Sequence, residues 1–236
     1  MADLQVDIWR GGADGRFARY PVPRVRHQTV LDVVTWVQRH LAPDLAYRFA
    51  CRVGMCGTCA MTVNGRPRWT CRTHVDRVAE GDRLVLAPLR SLPVVRDLVV
   101  DMTPFFDKWQ RAEGKFAGGR TRHEAPAAVD PDGPARRAAD AAIECINCAV
   151  CYAACDVVAW DADYLGPAAL NRAWSLANDE RFTGTAALNA AVTAEGGVFS
   201  CHSHGACGAR CPVGLEPTRS IAGLKRRSMA ATGGAA

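Results

Sequence analysis

Apolar and polar residues alternate in two short stretches near the start of the chain, which predicts two β-strands. Leu4 to Trp9 and Arg19 to Val25 follow the period of two that a half-buried strand requires, and GGADGR between them predicts the turn. This run lacks the G-x-G-x-x-G order of a dinucleotide-binding loop, so a hairpin is the favoured interpretation. A helical period follows from Leu31 to Leu41, with Thr29 as its cap and Pro43 at its end.

A second hairpin is predicted around Asn64-Gly65, a dipeptide typical of two-residue turns. The apolar strand Cys59 to Val63 precedes it, and the return strand runs through Trp69 to Cys71. These elements predict a small mixed sheet covered by one helix, a β-grasp arrangement that extends to about residue 100.

The second half of the chain has a helical pattern. Between Ala117 and Ala135 the composition shifts to Gly, Pro, Ala and charged residues, which predicts a surface connection. Helix formers dominate afterwards, and four helices are predicted: Asp130 to Ala142, Pro167 to Asn178, Gly184 to Glu195 and Leu215 to Ser228.

Length and charge restrict the classes of function. The 236 residues are enough for two domains, and 49% of them are apolar. The basic residues behind the formal net charge of +5 do not form a stripe of the kind that binds nucleic acid. The most apolar part, Leu84 to Val100, is interrupted by prolines and charges, so we expect no membrane span. The start resembles neither a secretory signal nor a transit peptide, which predicts an intracellular chain.

The chain has eleven cysteines, which are candidate ligands for metal clusters, and they fall in three groups. The first group reads CRVGMCGTC and continues to Cys71 twelve residues later, the plant-type arrangement for a [2Fe–2S] cluster held by Cys51, Cys56, Cys59 and Cys71. Gly54 and Gly57 stand where a side chain would obstruct the approach of the backbone to the sulfurs.

The middle group, CINCAVCYAAC, has the spacing with which bacterial ferredoxins bind one cluster and lend a ligand to another. The last group repeats that spacing, except that His204 stands where a cysteine is expected. The combined pattern predicts a [4Fe–4S] cluster on Cys145, Cys148, Cys151 and Cys211. It leaves three thiols, Cys155, Cys201 and Cys207, which predict a [3Fe–4S] cluster. Imidazole can bind iron, so a [4Fe–4S] cluster with His204 as fourth ligand is the alternative.

Structural zinc and disulfides explain the cysteines less well. C-x-x-C pairs also build four-cysteine zinc sites, but eleven cysteines do not divide into fours. An odd number of closely spaced cysteines in an intracellular chain disfavours disulfides. The predicted fold class is therefore α+β: an N-terminal β-grasp domain of the plant-type ferredoxin kind and a C-terminal all-α domain like a bacterial ferredoxin. The predicted boundaries are 1–104 for the [2Fe–2S] domain, 105–135 for a connection and 136–236 for the helical domain with two clusters.

Two ferredoxin types in series give the chain a family resemblance. CRVGMCGTCAMTVNG with Cys71, LPVVRDLVVDM, CINCAVCYAAC, GPAAL and the C-x5-C-x3-CP ending are similar to the iron–sulfur subunit of the succinate dehydrogenase and fumarate reductase family. The resemblance implies an FAD-containing flavoprotein partner that handles succinate and fumarate, and a membrane anchor with quinone. It also implies a peripheral position on the cytoplasmic face of a bacterial inner membrane, with no catalytic residue on this chain.

The same resemblance suggests residues near quinone. Trp160 and His202 match positions that line the quinone pocket in succinate-oxidising members, and Lys225 matches a position near quinone in fumarate reductases. Asp156 departs from the family pattern, which has proline after the fourth cysteine of the middle run. The alternative function is a soluble iron–sulfur subunit of another dehydrogenase or of a heterodisulfide-reductase-like complex.

Overall fold

The chain divides into two compact units. The structure, a computed structural model, describes residues 3–233. The first unit comprises Met1–Met102 and Ile146–Ala154, and the second comprises Thr103–Cys145 and Cys155–Ala236. The chain termini within these ranges lie outside the described residues, and each unit is described by itself.

A five-stranded mixed sheet forms the centre of the first unit. Its strands are β1 (Leu4–Arg10), β2 (Arg16–Val22), β3 (Ala60–Val63), β4 (Arg66–Trp69) and β5 (Arg83–Ala87). The order is β2-β1-β5-β3-β4, in which β1 and β5 are parallel and the other pairs antiparallel. Helix α1 (Val30–His40) buries its apolar positions in the same core as alternate residues of β1. This is the β-grasp arrangement that the sequence predicts.

Local sequence signals explain where α1 begins and ends. The Thr29 side chain accepts the Asp32 N–H at 3.2 Å, and the Asp32 carboxylate accepts the Thr29 N–H at 2.9 Å. This capping box satisfies two N–H groups that the helix itself leaves unpaired. The helix ends at His40, before Pro43, as predicted.

The paired strands of the first hairpin extend further toward the turn than predicted. Arg10 pairs with Arg16, so β2 begins three residues before the predicted Arg19 and ends at Val22. Phe17 is exposed and packs edge-on against Trp9, with ring centroids 5.3 Å apart. Because this contact lies on the solvent side of the sheet, the alternation of buried residues does not reveal it. Two further short strands, β6 (Val94–Arg96) and β7 (Val99–Val100), form a separate hairpin.

The second unit is helical. Its helices are α2 (Thr103–Arg111), α3 (Pro134–Ile143), α5 (Asp156–Trp160), α6 (Gly166–Ala177), α7 (Thr185–Thr193), α8 (Ala206–Arg210) and α9 (Pro217–Gly233), whereas α4 (Val150–Ala153) lies in the first unit. Helix α6 is buried on nearly all sides and packs against α2, α3, α7 and α9. It is therefore the central helix of this unit.

The predicted helices of the second unit are present with shifted ends. Helix α3 begins at Pro134 rather than Asp130, because Gly133 caps it and proline favours the first helical position. The predicted connection, 105–135, contains most of helix α2, whose buried face includes Phe105 and Lys108. Residues 118–128 are almost entirely exposed. Among the described residues no helix is both long and apolar enough to cross a membrane.

Candidate iron–sulfur sites

The first cysteine group lies on the first unit between α1 and the β3–β4 hairpin. Cys51 and Cys56 are half-buried in the loop, whereas Cys59 immediately before β3 and Cys71 after β4 are buried together with Leu31. The hairpin turns at Asn64 and Gly65, whose φ angles of 45° and 73° are those of the two-residue turn that the sequence predicts. The turn thus brings the strand that leads to Cys71 back alongside β3.

The surroundings of Cys51 and Cys71 shift the pKa values of these two thiols in opposite directions. Backbone N–H groups of Val53 and Met55 lower the pKa of Cys51 to about 6, with a further contribution from its hydrogen bond to Cys56. The Met55 N–H lies 3.2 Å from the Cys51 sulfur. Burial raises the pKa of Cys71 to about 11, and its contacts with Cys59 and Cys51 act in the same direction. The donor set fits a [2Fe–2S] cluster, since iron binds thiolates and the N–H groups point at sulfur.

Two glycines in the loop leave space for neighbouring groups. A Cβ atom at Gly54 would lie 3.1 Å from the Trp69 ring. A Cβ atom at Gly57 would lie 2.4 Å from the Cβ and 2.9 Å from the Cα of Cys148, a cysteine of the middle group. Both glycines have positive φ. A side chain at Gly57 would therefore overlap with Cys148 of the next cysteine group, whereas the predicted obstruction of the approach to the cluster sulfurs stays a prediction.

The middle group has an unusual backbone. Asn147 and Ala149 flank Cys148 with φ angles of 53° and 59°, a region that costs non-glycine residues about 1–2 kcal/mol each. Cys151 follows in α4 and is buried. The Arg90 guanidinium donates to the Ala153 carbonyl at 3.3 Å and holds the end of α4. Strained residues around a cysteine are typical of binding loops. The assignment of Cys145, Cys148, Cys151 and Cys211 to one cluster rests on their spacing.

The third group lies within the second unit. Cys155 immediately precedes α5 and is buried, Cys201 follows a 3₁₀ turn and is half-buried, and Cys207 is buried in α8. Burial raises the pKa of Cys155, and the charges on Cys207 and Cys201 raise it further. The N–H groups of Val158 and Val157 act in the opposite direction and lower it. The three thiols are therefore neighbours. Three sulfur donors in a largely buried setting fit a cluster with three protein ligands.

Two hydroxyl groups lie near the thiols of the third group. The Thr218 Oγ1 atom of α9 lies 3.1 Å from the Cys207 sulfur. Tyr164 is 1% exposed, and its neighbours include Cys201 and Cys155. Burial and the neighbouring thiolate charges raise the pKa of Tyr164, so its hydroxyl keeps its proton. Sequence reasoning missed both residues, because neither is part of a cysteine motif.

The residues predicted near quinone lie around the third group. Trp160 is 74% exposed at the end of α5 and meets the ring of His202 edge-on, with centroids 6.4 Å apart. The Lys225 ammonium donates to the carbonyl of Cys201 at 2.7 Å. His204 is exposed in the loop between Cys201 and Cys207.

A buried lysine in the same unit was also missed by sequence reasoning. Lys108 of α2 is 7% exposed, and burial together with Arg111 lowers its pKa, while Asp161, Asp163 and Cys155 oppose that shift. Its signal in the sequence is weak, since one lysine among the apolar residues of a short helix is usually a solvated charge.

Among the described residues, no three His, Cys, Asp or Glu side chains converge closely enough to hold a single metal ion.

Two parts of the chain match two different models of cluster-binding domains. Residues 5–107 match a 2Fe-2S iron-sulfur cluster binding domain, and residues 144–216 match a 4Fe-4S dicluster domain. The fold and the sites therefore define an iron–sulfur electron-transfer protein that binds [2Fe–2S] and [4Fe–4S] clusters.

Similar proteins identify the family. The chain is 37% identical to a fumarate reductase iron-sulfur subunit of Mycobacterium tuberculosis, over 87% of this chain and 83% of the relative. It is 32% identical to a mitochondrial succinate dehydrogenase [ubiquinone] iron-sulfur subunit of Oryza sativa, over 86% of this chain and 72% of the relative. A chain of the Mycobacterium smegmatis Sdh1 complex in the apo form superposes with a TM-score of 0.85 at 27% identity, covering 96% of this chain and 95% of that one.

The chain belongs to the family of iron–sulfur subunits of fumarate reductase and succinate dehydrogenase. The predicted family, the α+β fold class and the electron-transfer function are thereby confirmed. It is an oxidoreductase subunit.

Proposed function

We propose that the chain carries single electrons through three clusters, each held by its own set of cysteines. The sets are Cys51, Cys56, Cys59 and Cys71 for [2Fe–2S]; Cys145, Cys148, Cys151 and Cys211 for [4Fe–4S]; and Cys155, Cys201 and Cys207 for [3Fe–4S]. Every cysteine of the sequence then has one role. The grouping of the three thiols carries the proposal: Cys207 and Cys201 lie near enough to Cys155 for their charges to act on it, and no cysteine is left to supply a fourth thiolate there.

The surroundings of His204 support three protein ligands rather than four at this site. Its side chain is exposed, whereas Cys155 and Cys207 are buried. The loop turns sharply at Ser203, with a φ of 58°. The thiol ligands thus face the interior, and the imidazole has solvent as its surroundings.

The electrons pass between a flavoprotein subunit and quinone in a membrane anchor, and the chain lies peripherally on the cytoplasmic face of the bacterial inner membrane. The names of the relatives support these partners, since one is a fumarate reductase subunit and another a succinate dehydrogenase [ubiquinone] subunit. Iron–sulfur clusters supply one-electron steps, which connects two-electron chemistry at a flavin with two-electron chemistry at a quinone. The protein binds the clusters, orients their sulfurs and limits their contact with water.

Trp160, His202 and Lys225 are the proposed contacts with quinone. Trp160 presents an exposed indole beside His202, and His202 is the neighbour of Cys201 in sequence. Lys225 is fixed by the carbonyl of the same cysteine. An apolar ring beside polar donors suits a ligand that is a flat ring with two carbonyl oxygens.

Electron paramagnetic resonance of the isolated holoprotein complex tests the cluster assignment. We expect a [3Fe–4S] signal in the oxidised state and a [2Fe–2S] signal after reduction by succinate. Cys207→Ser should remove or alter the first signal and leave the second. An oxidised state without the [3Fe–4S] signal, together with a third reduced-state signal that His204→Val abolishes, would establish His204 as a ligand and refute the three-thiolate site.

A further inference from the structure

A side-chain hydroxyl group forms a hydrogen bond with one sulfur of the third cysteine group. Thr218 stands in the first turn of α9 and lies 3.1 Å from the Cys207 sulfur. An iron-bound cysteine is a thiolate and has no proton to donate. The Thr218 hydroxyl is therefore the donor.

This contact is shielded from water. Cys207 is 7% exposed. In such surroundings a hydrogen bond to a charged sulfur is stronger than the same bond in water. Thr218 belongs to α9 and Cys207 to α8, so the bond also fixes the orientation of this sulfur relative to a second helix.

We propose that Thr218 is a positioning residue that raises the reduction potential of the [3Fe–4S] cluster by donating a hydrogen bond to Cys207. The inference rests on the proposed function, which assigns that cluster to Cys155, Cys201 and Cys207. Reduction adds one electron and makes the sulfurs more negative, so a hydrogen-bond donor stabilises the reduced state more than the oxidised state. Hydrogen bonds to sulfur are one of the recognised determinants of cluster potential.

The sign of the effect has a functional consequence. A hydrogen-bond donor that favours the reduced state makes the [3Fe–4S] cluster a better acceptor of electrons from the [4Fe–4S] cluster. Electron transfer toward the cluster near the exposed Trp160 is thereby favoured.

A redox titration of the isolated complex, followed by the oxidised-state [3Fe–4S] signal, tests the inference. Thr218→Val keeps the shape of the side chain and removes the donor, whereas Thr218→Ser retains it. The matched control is Thr193→Val, since the Thr193 hydroxyl donates to the backbone carbonyls of Asn189 and Ala190, at 2.8 and 3.3 Å, rather than to a sulfur.

We expect Thr218→Val to lower the midpoint potential, so that the ratio of reduced to oxidised cluster at a fixed potential falls by about tenfold, or about 59 mV for one electron. Thr218→Ser and Thr193→Val should titrate like the wild type.

The outcomes separate this inference from the proposed function. A wild-type [3Fe–4S] signal with the same midpoint in Thr218→Val and Thr193→Val would overturn the inference and leave the cluster assignment standing. Absence of the [3Fe–4S] signal from the wild type would overturn both.

Discussion

At Gly57 the loop of the first cysteine group lies close to Cys148 of the middle group. Its φ is 69°, and an added Cβ would stand 2.4 Å from the Cβ and 2.9 Å from the Cα of Cys148. Carbon atoms in favourable contact are about 3.5–4.0 Å apart. Gly57→Ala therefore needs a displacement of more than about 1 Å, and the obstructing atoms belong to the backbone and Cβ of a residue that cannot rotate away.

Gly65 provides a control with the same backbone conformation. Its φ is 73°, and an added Cβ there meets no described atom within 4 Å. Gly65→Ala should cost about 1–2 kcal/mol, the ordinary penalty of a left-handed conformation. Gly57→Ala carries this penalty and also the steric overlap, which by analogy with overpacking adds about 1–3 kcal/mol. We therefore expect a loss of about 2–5 kcal/mol at Gly57.

Two measurements on the holoprotein check this difference. Denaturant unfolding should show the larger loss of stability for Gly57→Ala. Iron content and the reduced-state [2Fe–2S] signal should decrease in Gly57→Ala and stay normal in Gly65→Ala. Equal stabilities and equal iron contents in the two variants would refute the idea that Gly57 is needed for a close approach to Cys148.

Three further predictions concern the cap of α1, one ion pair and the iron. Thr29→Ala removes the capping hydroxyl and should lower the free energy of unfolding by about 1 kcal/mol in denaturant titrations, whereas Thr29→Ser should not. The Arg181 hydrogen bond lowers the pKa of Asp179 to about 2, so the charged carboxylate stabilises the fold above the ordinary pKa of about 4, and this contribution is lost as the pH falls toward 2. Asp179→Asn should therefore have a lower melting temperature than the wild type at neutral pH, and this difference should narrow only in acid. Equal melting temperatures near pH 7 would contradict a stabilising ion pair. Removal of iron by an oxidant and a chelator should abolish most of the helical circular dichroism of the second unit, and iron with sulfide should restore it, since binding free energy is also folding free energy; helicity that survives iron loss would contradict this coupling.

Elements governed by short-range signals could be predicted from the sequence. The α1 helix follows from Thr29, the apolar period and Pro43, and the second hairpin follows from Asn64-Gly65. Helix α2 could not be predicted in the same way, because its buried face depends on its packing against α6 and includes a lysine. Tertiary contacts, rather than local propensity, decide such an element.

The cysteine groups also differ in whether short-range sequence signals or tertiary contacts determine their surroundings. Spacing suffices to predict the first group, because its loop and hairpin lie within about twenty residues, and the N–H donors to Cys51 come from the loop itself. The domain boundaries stay predictions. Spacing gave no indication that Ile146–Ala154 would group with residues of the first unit, since that grouping depends on contacts with a segment about ninety residues earlier.

Backbone N–H groups donate to sulfurs in both sites, and the third group has a side-chain donor as well. The Met55 N–H donates to Cys51 and the Ser203 N–H donates to Cys201. The buried Cys207 also lies against the hydroxyl of Thr218, eleven residues farther along the chain and on another helix. A backbone donor is independent of residue type, whereas a side-chain donor can be removed by one substitution. We therefore expect the potential of the proposed third cluster to change through Thr218 without any change of a cluster ligand.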